Sequence, residues 1–289
     1  MDNNELRRNL DRIENLPTLP VIAMEVNNLL QDYNTSIKKL SSVIENDQAI
    51  VAKILKLVNS AFFGLRSKVG NIPHAITLLG FNTVRNAVIS VSVIKVLSDI
   101  SDMEGFKVND FWTHSVSVAV ASKQIANTTH LHNPDDCFIG GLLHDIGKLI
   151  LINKFESLFR EIWRLKKDEN ISFFDAEKMI GSMTHAQIGG YLASRWKLPA
   201  ALSDTISRHH SLSKMAIDSD LLKIIHSADI IINDLDSEKS NLLEDTNIPA
   251  DLSDKIIEGW QSPDAWFKTL LTDIEEACRF FIGGENPGG

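Results

Sequence analysis

Turn and breaker residues are widely spaced in this chain, and the long segments between them carry apolar residues three and four apart, as in Ile22, Val26, Leu29 and Leu30 or Ile54, Leu55 and Val58. That spacing lines one face of a 3.6-residue helix, whereas strands need alternation and closely set turns. The fold class that follows is all-α. Residues 84–97, rich in valine and isoleucine, are where a strand is the alternative; the run is too long for an ordinary strand and its flanks read as helix caps. At 289 residues and 44% apolar content, the chain can bury one large core or two moderate ones.

The organisation reads as two helical lobes. Leu16-Pro17-Thr18-Leu19-Pro20 breaks a short opening helix and launches the first lobe, residues 1–100. Within it, Asn59-Ser60 with Gly64 ends a helix from about Ala49, and Pro73 opens another near His74 to Leu79, where Gly80 supplies a left-handed C-cap. The polar stretch from Ser98 to Asp110 is the boundary, and a second lobe spans residues 106–282. Residues 234–253 read as an acidic loop and 283–289 as a flexible tail.

Charge and cysteine content exclude several classes. A net charge of −9 leaves no basic stripe for a phosphate backbone, so no nucleic-acid partner is expected. Cys137 and Cys278 are too few for a disulfide framework, which suits the cytoplasm. The start Met1-Asp2-Asn3-Asn4-Glu5 lacks the pattern of a secretory signal. The most apolar run, Ala87 to Leu97, is too short to cross a bilayer and is interrupted by Ser90, Ser92 and Lys95, so no membrane span is expected.

The chemistry is concentrated in the second lobe, around Gly140-Gly141-Leu142-Leu143-His144-Asp145-Ile146-Gly147-Lys148. An adjacent His-Asp pair among apolar, glycine-flanked residues offers a nitrogen and an oxygen ligand where a bare carboxylate would be costly to bury. Gly147 is placed to break the helix there. His114 lies ahead of Val118, Ala119, Val120 and Ala121, small enough for close helix packing. His185 follows the capping residue Thr184 and precedes Gly189-Gly190, glycines that weaken a helix unless something approaches its backbone. The doublet His209-His210 closes a helix starting near Pro199, where the helix dipole alone can account for a histidine. Asp229 sits in an apolar helix three residues after His226, where a plain hydrogen bond between the two is the alternative to a ligand role. Each position alone has such a structural explanation; six positions in one lobe, the histidine doublet counted as one, point jointly to a metal site. Imidazoles and carboxylates without thiolate suit one or two divalent ions of iron, manganese, nickel or zinc. Two ions sharing an aspartate would activate water and hold a phosphoester's oxygens during in-line displacement.

These residues resemble the HD superfamily of metal-dependent phosphohydrolases, whose ligand order is histidine, His-Asp, further histidines, then aspartate. Residues Leu16 to Pro20, Ile44 to Asp47, Lys53 to Ser60, Ile72 to Gly80, Thr184 to Gly190 and Trp196-Lys197-Leu198-Pro199 are together similar to the HDOD family of bacterial signalling output domains, over about residues 10–235. One departure is Asp47-Gln48 where the family has Asp-Pro. The resemblance implies an HD-type helical bundle in the second lobe. It implies one ion held by His114, His144, Asp145 and Asp229, and a second held by bridging Asp145 with His185, His209 and His210. It gives Asp145 and Lys148 catalytic parts, Lys148 facing the substrate phosphate unless it only satisfies a helix end. It also implies a phosphorylated small molecule or a signalling protein as partner. Ser211-Leu212-Ser213-Lys214 replaces the Gly-Tyr-Pro segment of the HD-GYP relatives, which argues against cyclic dinucleotide hydrolysis. Many HDOD proteins are regarded as scaffolds, so a non-catalytic binding module is the alternative. Arg195 and Arg208, the nearest arginines, read as surface residues.

Overall fold

The computed structural model describes residues 16–32, 34–60, 67–181, 183–211, 219–236, 248–259 and 263–283, and among them no strand occurs. The opening helix before Leu16, Gly64 and most of the tail fall outside the described residues. The N-terminal part comprises α1 (Val21–Leu29), α2 (Ile37–Ile44), α3 (Gln48–Val58) and α4 (Ile72–Leu97). Short polar caps set these helices: Ser36 accepts from the Lys39 N–H, Asp47 from the Ala49 and Ile50 N–H groups, and Asn71 from the His74 N–H. Asp47 therefore caps α3 although Gln48 replaces proline.

Gly80 differs from expectation. It has φ 84° and ψ 169°, an extended conformation with positive φ rather than a left-handed cap, and it kinks α4 instead of ending it. Among the described residues α4 alone is long and apolar enough to cross a membrane, yet 56% of its most apolar window is buried in the protein. Val84, Val88, Ile89 and Val93 make it a core helix on which α1, α2 and α3 pack.

The remaining helices are α5 (Val108–Thr129), α6 (Pro134–Leu143), α7 (Ile146–Lys154), α8 (Glu156–Asp168), α9 (Phe173–Ile180), α10 (His185–Arg195), α11 (Ala200–Arg208), α12 (Asp220–Asp236), α13 (Ala250–Gly259) and α14 (Pro263–Phe281). Residues 234–253 are thus not one loop: α12 runs to Asp236 and α13 starts at Ala250, because Ile248, Leu252 and Ile256 recur every four residues and bury one face. The long helix α5 is the spine, touching α6, α12, α13 and α14. It lies close to α6 because Gly141 has no side chain: a Cβ there would be 2.7 Å from the Ala119 Cα. Gly190 likewise admits α11, since its Cβ would lie 2.5 Å from the Ser207 Cβ.

One hydrophobic core runs from Leu16 to Ala277. Two polar contacts tie the N-terminal segment to the turn before α11: Trp196 Nε1 donates to the Pro17 carbonyl at 2.9 Å, and Asn27 Nδ2 to the Lys197 carbonyl at 2.7 Å.

Both cysteines are free, Cys137 buried and Cys278 partly so. Burial raises both thiols, Cys278 to about 11, so neither is a thiolate near neutral pH. Folded protein should react with a thiol-exchange reagent far more slowly than denatured protein; equal rates would contradict this packing.

Candidate metal centre

Three helix junctions and two helix interiors deliver the ligand-type side chains to one place. Leu142, Leu143 and Ile146, all fully buried, fix the α6–α7 corner, each contributing roughly 1.5–3 kcal/mol of burial. His144 and Asp145 are the two residues of that corner. Gly147 lies inside α7 and breaks nothing; its absent side chain lets the α10 backbone approach, since a Cβ would lie 1.9 Å from the His185 carbonyl oxygen. That contact brings His185, the first residue of α10, to Asp145. Thr184 and Gln187 close a capping box around it. His209 and His210 follow α11, His114 lies within α5, and Asp229 within α12.

The geometry divides around the two oxygens of Asp145. His185 Nε2 is 3.0 Å and His209 Nε2 3.5 Å from Oδ1, and His210 Nε2 is 3.0 Å from His185 Nε2. His144 Nε2 is 3.4 Å and His114 Nε2 3.9 Å from Oδ2, while Asp229 Oδ1 is 3.1 Å from His114 and 3.6 Å from His144. Ligand atoms about 2.1 Å from a common ion stand about 3.0–3.4 Å apart for right-angle to tetrahedral geometry. The spacings here fall at or just above that range. Asp145, His185, His209 and His210 form one set and His114, His144 and Asp229 another, with the ligand atoms of each set within 4.8 Å of one another.

The outer nitrogens explain why the inner ones face the site. His144 Nδ1 donates to the Gly141 carbonyl at 2.6 Å and His209 Nδ1 to the Ile206 carbonyl at 2.8 Å, both carbonyls left over in the last turn of a helix. With Nδ1 as donor, Nε2 is the nitrogen that faces the site, and in the neutral ring its lone pair ligates. His144 Nε2, His209 Nε2 and Asp145 Oδ1 are buried without a hydrogen-bond partner, a cost of about 1–3 kcal/mol each that an ion would remove. The residues fit a divalent metal. His226 does not pair with Asp229: its Nδ1 meets the His209 carbonyl at 2.6 Å and braces the doublet, while Asn233 Nδ2 donates to Asp229 Oδ1 at 2.8 Å.

The charges are mutually compensating. Burial alone would raise Asp145, but Lys148, His144 and His185 hold its carboxyl well below the usual carboxylate range. Burial would also raise Asp229, and the His114 and His144 imidazoles beside it keep it low. Burial opposes charge on His144, yet Asp145 and Asp229 push its imidazole up to about 10. His209 goes the other way, lowered by burial to about 4, and His210 is lowered by burial and by His209. Lys148 Nζ contacts Asp145 Oδ2 and lies 5.5 Å from the Phe173 ring. Arg195 is exposed beside Tyr191 and belongs to the surface, whereas Arg208 pairs with Asp204 and is half-buried.

Two contributors escape a reading of the sequence. Glu177 is fully buried and bonds His185 twice. Phe174 covers His210 with ring centroids 4.6 Å apart. The available signal was position: Phe173, Ala176, Glu177 and Ile180 follow apolar-face spacing, with a carboxylate where a hydrophobe belongs.

Fold and centre together define an all-helical protein with a histidine–aspartate cluster suited to divalent ions. The chain belongs to the HDOD family: the HDOD domain pattern matches residues 16–212. An uncharacterized protein of Treponema pallidum (strain Nichols) is 27% identical over 230 residues, 79% of this chain and 44% of the relative, so the chain spans less than half the length of that curated relative. An HDOD domain protein of unknown function from Geobacter sulfurreducens superposes with a TM-score of 0.76 at 23% identity, covering 97% of this chain and 98% of the other. A proposed phosphohydrolase from Shewanella amazonensis SB2B gives 0.73 at 25% identity, covering 96% and 97%.

Proposed function

We propose that this chain is a bacterial, cytoplasmic signal-transduction output protein whose second lobe holds two divalent ions of iron, manganese, nickel or zinc and hydrolyses a phosphoester. The observation that carries this reading is the division of six other ligand-type side chains around the two oxygens of Asp145. The proposed phosphohydrolase of Shewanella amazonensis, alike in fold across nearly the whole chain, supports it. Bound ions would supply an activated water and charge neutralisation at the phosphate. Asp145 serves both sites, His114, His144 and Asp229 one of them, and His185, His209 and His210 the other. Lys148, the positive group on Asp145, is placed to turn its ammonium to a substrate phosphate once an ion relieves it of the carboxylate.

The test is product release from a panel of phosphomonoesters, phosphodiesters and nucleotides by manganese-loaded protein, read by chromatography of the alcohol and phosphate-bearing products, with His209→Ala as control. Release that needs manganese and falls at least about 100-fold in the variant supports hydrolysis. Manganese-loaded protein that hydrolyses none of them favours the second reading, a binding module without catalysis. One contact speaks for that reading: Lys148 already neutralises Asp145 without any ion.

A further inference from the structure

We propose that Glu177 is the positioning residue of the second ion: by accepting the His185 Nδ1 proton it holds the lone pair of Nε2 toward the site. The inference rests on the metal reading above and adds a residue to it. Glu177 lies in α9, eight residues before His185 and on a different helix, and it is completely buried. A buried carboxylate must be compensated, and Glu177 directs both oxygens at one residue. Oε1 accepts the His185 backbone N–H at 2.6 Å, and Oε2 meets Nδ1 at 2.8 Å.

The second contact decides the chemistry. An ionised carboxylate can only accept, so Nδ1 must carry hydrogen. The opposite nitrogen, Nε2, stands 3.0 Å from both Asp145 Oδ1 and His210 Nε2. A carboxylate behind a ligating imidazole fixes ring and tautomer and strengthens the donor nitrogen. His144 and His209 are oriented by neutral carbonyls, so among the ligand histidines oriented through Nδ1 the anionic partner belongs to His185.

A purely structural role is the competing account, because the backbone bond alone makes Glu177 a cap for the α10 N-terminus. Glu177→Gln separates the two. The amide oxygen keeps the bond from the His185 N–H, which leaves the amide NH₂ facing Nδ1. That group donates, so Nδ1 must become the acceptor and the proton moves to Nε2, the atom needed for the ion. The cap survives and the ligand is lost.

The experiment is a zinc titration of wild type and Glu177→Gln, with thermal melting of both and nitrogen-15 histidine spectra of the zinc-loaded wild type. The expected result is two ions in wild type, a variant that melts cooperatively, one ion bound as before and the other weakened about 10–100-fold. The wild-type spectrum should show His185 protonated at Nδ1 and ligated through Nε2. Two ions bound with wild-type affinity by the variant would overturn the inference and leave the metal reading standing. So would a wild-type spectrum with His185 bound through Nδ1 or unbound, which decides the matter even if the variant fails to fold. A wild type that takes up no zinc overturns both.

Discussion

Gly147→Ala should destabilise the protein by at least about 3 kcal/mol, the upper end of overpacking costs, and lower the melting temperature by about 6–12 °C. The added Cβ would lie 1.9 Å from the His185 carbonyl oxygen, 2.7 Å from its carbon and 2.9 Å from the Gly189 nitrogen. All three are backbone atoms, so no rotamer change relieves the clash. Helices α7 and α10 must move apart, carrying His185 away from Asp145. Gly70→Ala is the matched control, because its Cβ would meet nothing within 4 Å, and it should change stability by less than about 0.5 kcal/mol. Urea unfolding of the two variants beside wild type checks both numbers. Equal midpoints for Gly147→Ala and wild type would mean that the two helices do not approach as described.

Asp145→Ala should abolish binding of both ions, a larger loss than the about 10–100-fold caused by removing an outer partner. The reason is the division of its oxygens, Oδ1 toward His185 and His209 and Oδ2 toward His144 and His114. No other side chain of the cluster faces both sets. His114→Ala should therefore weaken only one binding event and His210→Ala only the other. Calorimetric titration with manganese reads all three variants on protein shown to be folded by circular dichroism. Folding must be checked, since removing Asp145 leaves Lys148 and the raised imidazoles of His144 and His185 without their shared carboxylate. An Asp145→Ala variant that is folded and still binds manganese tightly would rule out the bridging arrangement.

The helical class was legible because it depends on local periodicity, and the valine-rich stretch 84–97 forms helix as its length and caps demanded. The ligand residues were legible for a different reason: histidines and aspartates on apolar helices are expensive unless something binds them. Their convergence was not legible, because Asp145 meets His185 and His209 only through tertiary packing allowed by Gly147 and Gly190. Gly147 read as a breaker, since a sequence shows that a glycine lacks a side chain and not which backbone fills the space. Glu177 was hidden among the charges beginning α9, although its apolar-face position marked it. Residues 234–253 read as a loop because acidic and other polar residues together outweigh apolar ones there, and Ile248, Leu252 and Ile256 show their four-residue spacing only once α13 is seen.

Elemental analysis of the untagged wild-type chain, purified without chelator, tests the central claim most directly. The account predicts close to two divalent ions per chain, iron, manganese, nickel and zinc taken together, as paired sites sharing one carboxylate require. Less than about a tenth of an ion per chain, unchanged after incubation with manganese or zinc, would contradict it, because a formed site with free Nε2 lone pairs must take up metal on exposure.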